Sequence, residues 1–127
     1  MKKIILTILI TISGLMADAN IGFLANQKYI CVSQGMVVND KLNPTPQKEA
    51  LKYPTRFYID DNNVMHTDAK LTLNHVKDTT YSNGKYTMGL VVNHDKRYLV
   101  TSNKQLETMG AFVLYACVET NNWTIAR

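Results

Sequence analysis

Apolar and polar positions follow two different rhythms along this chain. Ile4 to Met16 form one charge-free run, interrupted only by Thr7, Thr11, Ser13 and Gly14. Everything after it breaks into short alternating stretches separated by Asn, Asp, Gly and Pro, the pattern of half-buried strands and turns. "KYICVS" (28–33) sets Tyr29 and Cys31 against Ile30 and Val32, and "GMVVND" (35–40) either continues that strand or starts another beyond a bulge at Gly35. "TRFYID" alternates Phe57 and Ile59 with Arg56 and Tyr58. The cluster "DDNN" (60–63) reads as a turn, because Asp and Asn tolerate left-handed backbone and bond their own main chain. "VMHTD" then returns as a short partner strand, and "KLTLNHV" places Leu71 and Leu73 on one face.

Two hairpins follow. Asn83-Gly84 inside "TTYSNGKYTMG" is a strong hairpin signal, and a type I′ turn with positive φ at both central residues is expected there. "GLVVNHDKRYLVTS" folds Leu90–Val92 onto Tyr98–Val100 through a turn at Asn93–Lys96. The last strand, "GAFVLYACVET", is apolar on both faces. Pro44, Pro46 and Pro54 break the strand rhythm, and between them Thr45 is placed to cap a helix over 47–52 with Pro46 at its first position. That is the only helix expected after the leading run. The pattern therefore predicts an all-β, mainly antiparallel domain of about seven strands with one short helix. A curved sheet or barrel is favoured over a flat sandwich, since closure removes exposed strand edges.

The leading run changes the picture from fold to address. A bilayer-spanning helix needs about 20 apolar residues, and this run is shorter. Lys2 and Lys3 before it and Ala17-Asp18-Ala19 after it match a secretory signal with small residues at the cleavage site. Cleavage after Ala19 is expected, which leaves residues 20–127 as a single exported domain with no transmembrane anchor, in the periplasm or secreted. The mature chain loses two lysines and one aspartate, so the net charge of +4 becomes +3. Its lysines are scattered among acids, whereas a nucleic-acid partner calls for a concentrated basic face.

Export also decides how to read the two cysteines, Cys31 and Cys117. An even pair in an oxidising compartment is expected to form a disulfide, here joining the first strand to the last. The close C-x-x-C spacing of redox and metal sites is lacking.

Candidate chemistry is sparse. His66, His75 and His94, with Met65, Met88 or Met109 nearby, are the available soft-metal ligands, but His75 and His94 fall near strand ends or turns. No G-x-S-x-G elbow surrounds Ser33, Ser82 or Ser102. Asp60 and Asp61 read as turn formers, and Val64 and Met65 stand where a calcium loop needs ligands. No catalytic residue, metal or cofactor is assigned, and the chain is expected not to be an enzyme. Asn122-Trp123-Thr124 fits the glycosylation pattern but reads as a tail packing Trp123 on the domain. The seven tyrosines are more informative, because tyrosine joins apolar area to a polar tip. Tyr58, Lys85, Tyr86, Lys96, Arg97 and Tyr98 are the candidate residues for a mildly basic aromatic contact patch.

The resulting expectation is a small non-catalytic envelope protein that binds a protein or another ligand. "YIC" (29–31) and "YAC" (115–117) add a resemblance. In size, signal and the placing of an early Tyr-x-Cys and a late Cys, the chain is similar to the periplasmic lysozyme inhibitors of the barrel type. That resemblance implies a lysozyme-inhibitor-like β-barrel, although the loop motifs with which those inhibitors plug the lysozyme cleft are not recognisable here. The other alternative is an accessory structural subunit of an envelope assembly, using the apolar strand at 110–118 and the tyrosines as its interface.

Overall fold

A computed structural model of the chain describes residues 22–121. The expected signal with its cleavage residues Ala17 and Ala19, and the tail around Trp123, lie outside the described residues.

The alternating stretches become nine strands: β1 (Tyr29–Val38), β2 (Lys41–Pro44), β3 (Thr55–Ile59), β4 (Val64–Thr67), β5 (Thr72–Lys77), β6 (Thr80–Ser82), β7 (Tyr86–Asn93), β8 (Lys96–Asn103) and β9 (Ala111–Glu119). Neighbours pair antiparallel, and β9 returns to pair with β1 from Tyr29↔Glu119 to Val38↔Ala111. The sheet therefore closes on itself as an eight-stranded barrel, with β2 outside the closed ring as a hairpin extension of β1. β1 can serve both because its first half pairs with β3 and its second half with β2.

The change of partner on β1 coincides with an irregularity in its ladder to β9 between Ser33 and Gly35. Gly35 has φ +147°, and a Cβ there would lie 2.4 Å from the Asn43 carbonyl oxygen, so only glycine admits β2 this closely.

Strict alternation sends Tyr29, Cys31, Phe57, Ile59, Met65, Leu73, Tyr81, Met88, Leu90, Leu99 and Cys117 into one core inside the barrel. Two residues into β1, Cys31 sits opposite Cys117, and the two are disulfide-bonded across 86 residues of chain. On the chain-entropy account such a crosslink stabilises a fold by about 4–5 kcal/mol. β9 is apolar on its outer side as well: Phe112 packs there with Val91 and Val100, flanked by Val37, Tyr98 and Leu114.

Two short helices interrupt the strands. α1 (Gln47–Lys52) lies where the prolines indicate and buries Ala50. Its expected Thr45 cap is corrected by the structure: Pro46 occupies the N-cap position with no side-chain cap bond, and the Thr45 hydroxyl instead meets that of Ser33 at 3.0 Å. α2 (Lys104–Thr108) was not expected. Asn103 caps it by accepting from the Leu106 amide at 2.8 Å, and Gly110 closes it at φ +68° with its amide donating to the Glu107 carbonyl.

The Asn83-Gly84 hairpin is in place, but its turn is not type I′. Only Gly84 has positive φ, while the Asn83 side chain accepts from the Lys85 and Tyr86 amides at 2.9 and 2.8 Å. The Asn83 amide donates to the Tyr86 carbonyl, so Gly84 and Lys85 are the central pair, with the left-handed φ taken by glycine.

Candidate functional site

The strand order gives the barrel two ends, and the residues treat them differently. One end carries the turns at 60–63, 78–79 and 94–95 and the start of β1. Here the segment 22–27 crosses the barrel and inserts Phe23, whose ring lies 5.0 Å from that of Tyr29 and 5.9 Å from that of Phe57. Tyr29 and Phe57 stack at 5.4 Å. The Leu24 amide donates to the Tyr29 hydroxyl at 2.8 Å, and the Asn26 amide donates to the Ile59 carbonyl at 2.6 Å. Arg97 points inward over the Tyr29 ring, donates to the Gly22 carbonyl and reaches Glu119 at 3.3 Å. Burial raises the Tyr29 pKa, with Arg97 and the Leu24 amide pulling the other way.

A cleft of about 420 Å³ runs beside this plug, lined in part by Asp60, Asp61, Asn63 and Tyr81. Most of its acidic and amide groups are already engaged, the Asp78 carboxylate excepted. Asp60 Oδ1 accepts from the amides of Asn62 and Val64, Asp61 accepts from Asn26, and Asn63 accepts from the Tyr81 hydroxyl at 2.5 Å. Asp60 Oδ2 meets His66 Nε2 at 2.8 Å. The bond from His66, joined by the Val64 amide, holds the Asp60 carboxyl below its usual range. The paired aspartates thus act as turn formers.

The opposite end is open. It is ringed by the 68–70 turn, the 83–85 turn and α2, and leads into a cavity of about 330 Å³. Leu71, Met88, Leu106 and Val113 give it an apolar wall. Some of its polar groups are satisfied within the protein: Thr67 Oγ1 accepts from the Leu71 amide at 3.1 Å, Ser102 donates to the Ala111 carbonyl at 3.1 Å, and Asp68 pairs with Arg56 at 3.2 Å. Four are not. Among the described residues the hydroxyls of Thr55, Tyr86, Thr101 and Tyr115 have no hydrogen-bond partner, although all four residues line the cavity. A second cleft of about 290 Å³ adjoins it, sharing Tyr86 and Asn103 and adding Lys85, Lys104 and Gln105.

The structure distributes the expected contact residues rather than gathering them. Lys85 and Tyr86 sit at the open end, whereas Lys96 and Arg97 lie at the plugged end, a full β7–β8 hairpin away. Tyr98 packs on the outer wall beside Val91 and Val100, and Tyr58 stacks on His66 at 4.8 Å. His75 bonds the Asp78 carbonyl at 2.7 Å. Among the described residues no group of three or more His, Cys, Asp or Glu is placed to hold a metal ion, and no helix is long and apolar enough to cross a membrane.

Sequence reading did not single out Thr55, Thr101 or Leu106, and it noted Tyr115 only as part of "YAC" and among the tyrosines. The two threonines share a signal, inward phase near the end of a strand: Thr55 lies two residues before Phe57 and Thr101 two after Leu99.

No family model, curated protein or solved structure matches this chain. The functional reading therefore rests on the geometry of the two ends.

Proposed function

We propose that this is an exported, non-catalytic binding module of the cell envelope, and that the open end of the barrel is its binding face. The observation carrying this reading is the contrast in polar satisfaction. Among the described residues the hydroxyls of Thr55, Tyr86, Thr101 and Tyr115 are neither sealed from solvent nor bonded within the protein. All four converge on one apolar-walled opening, with their hydrogen-bonding capacity available to a ligand. The volume lies at the low end of small-molecule sites, about 300–1,000 Å³. Closed eight-stranded barrels have interiors suited to one small ligand or an inserted side chain. The disulfide fits an oxidising compartment, and the charge-free, largely apolar run at 4–16 fits an export signal.

The test uses the oxidised protein recovered from the envelope of producing cells, melted against a panel of envelope sugars, lipids, peptides and proteins. At least one component should raise the melting temperature of the wild type. Leu106→Trp, which fills the opening, should abolish that rise while keeping the ligand-free melting temperature. A rise equally strong in Leu106→Trp removes the open end from the proposal.

A second reading is favoured by one observation. The early Tyr-x-Cys and the late Cys lie on the two strands that close the barrel, and the cysteines are bridged. This keeps the resemblance to barrel-type lysozyme inhibitors as a proposal. A lysis assay decides it: stoichiometric protein should suppress lysozyme, and full lysis at several-fold excess ends this reading.

A further inference from the structure

The throat and its adjoining cleft have different chemistry, and together they describe a ligand. The throat offers carbon surface from Leu71, Met88, Leu106 and Val113, with the rings and hydroxyls of Tyr86 and Tyr115 beside it. Its one lining carboxylate, Asp68, is neutralised by Arg56 and largely buried, so it does not repel an anion in solution-like fashion. The adjoining cleft contributes two ammonium groups, Lys85 and Lys104, and the side-chain amides of Asn103 and Gln105. Neither lysine has a carboxylate partner among the described residues. Tyr86 and Asn103 line both spaces, so they form one continuous opening with an apolar depth and a cationic rim.

We infer that the open end binds a small amphipathic monocarboxylate, with its apolar or aromatic body in the throat and its carboxylate between Lys85 and Lys104. The inference rests on the open end being the binding face, and adds to it the class of ligand. A cation has no counter-charge to meet at the rim. A fully polar molecule leaves the Leu71–Met88–Leu106–Val113 wall against water or polar groups, which gains nothing from the apolar area. A compact carboxylate removes that wall from water and gives the rim lysines an acceptor, and the throat hydroxyls serve as orienting groups.

Isothermal titration and amide-shift mapping of the oxidised protein test this with octanoate and phenylacetate as probes, and octanamide and phenylacetamide as their neutral counterparts. The carboxylates should bind at sub-millimolar to millimolar concentration. Shifts should be confined to Thr55, Thr67–Leu71, Gly84–Met88, Thr101–Leu106 and Val113–Tyr115. The amides should bind at least five-fold more weakly. The double variant Lys85→Gln/Lys104→Gln should erase that preference while leaving amide binding and the melting temperature unchanged. Leu106→Trp should abolish binding of acids and amides alike.

Equal binding of acid and amide, or shifts centred on Phe23 and Asp60, overturns the inference. No binding of either probe also overturns it. In that case the binding-face reading stands if another panel component loses its effect in Leu106→Trp, and falls with it if none does.

Discussion

The two ends of this barrel are built by the same eight strands, yet one is finished internally and the other is not. At the plugged end Phe23, Tyr29 and Phe57 stack, and the hydroxyls of Tyr29 and Tyr81 each have a protein partner. At the open end the apolar wall is present, but the four hydroxyls around it are left to solvent. A polar group already bonded inside the protein gains little from a ligand, whereas an unbonded one beside apolar surface gains both a partner and water exclusion. The contrast therefore separates stability from recognition along a single axis. It also explains why the larger cleft, beside the plug, is the poorer candidate.

The largest expected effect tests whether the plugged half carries the stability. Reducing Cys31–Cys117, or replacing both by Ser, should lower unfolding free energy by about 4–5 kcal/mol, less where the unfolded chain retains structure. Urea titration with and without reductant measures it, and coincident curves contradict the role given to the bridge. Next comes Phe57→Ala, which empties the centre of the aromatic stack and should cost about 3–5 kcal/mol. A loss under 1 kcal/mol in the same titration means that the stack is not where the fold is held.

A smaller effect belongs to the open end. Gly84 has φ +88° with open space around its missing Cβ, so Gly84→Val pays only for backbone conformation. It should destabilise by about 1–3 kcal/mol, while Gly84→Asn, which tolerates positive φ, should recover most of that loss. Equal melting temperatures for the Val and Asn variants place the turn elsewhere.

The smallest effect is a pH dependence. Burial raises the pKa of both Tyr29 and Tyr81. The unfolded chain therefore releases these protons first. The associated stability is complete below the ordinary tyrosine value, near pH 10, and is lost as pH rises through the folded values. Tyr81→Phe should cost about 1 kcal/mol at neutral pH through its lost bond to Asn63. It should also flatten the decline between pH 9 and 11, and an unchanged slope assigns that decline to other groups.

Which parts of this were legible in the chain follows from what local sequence encodes. Alternation placed Tyr29, Cys31, Phe57, Ile59, Leu71 and Leu73 toward one core, because the side-chain period of a strand is fixed at two. Prolines located α1, and Asn-Gly located the β6–β7 hairpin. The cap of α1 was not legible, since Thr45 finds a long-range partner in Ser33 that its neighbours do not reveal. The turn type failed for a related reason: Asn83 uses its side chain to bond the turn instead of entering it as a left-handed residue. α2 is too short for periodicity to show, yet Asn103 and Gly110 mark its two ends and were readable as start and stop signals.

The candidate site was the least legible part. Lys85–Tyr86 and Lys96–Tyr98 are close in sequence because a hairpin joins them, but a hairpin's two ends are a strand's length apart. Conversely, Thr55, Tyr86, Thr101 and Tyr115 come from four strands and meet only once the barrel closes through β1 and β9. Closure is a long-range event that no local window records.

A crossed pair of variants tests the separation of the two ends most directly: Phe23→Ala and Leu106→Trp, each measured for ligand-free melting temperature and for octanoate affinity by titration calorimetry. The account predicts that Phe23→Ala melts several degrees lower with its affinity within two-fold of wild type, and that Leu106→Trp melts like wild type with binding lost. If Phe23→Ala loses the affinity while Leu106→Trp retains it, the functions of the two ends have been assigned the wrong way round.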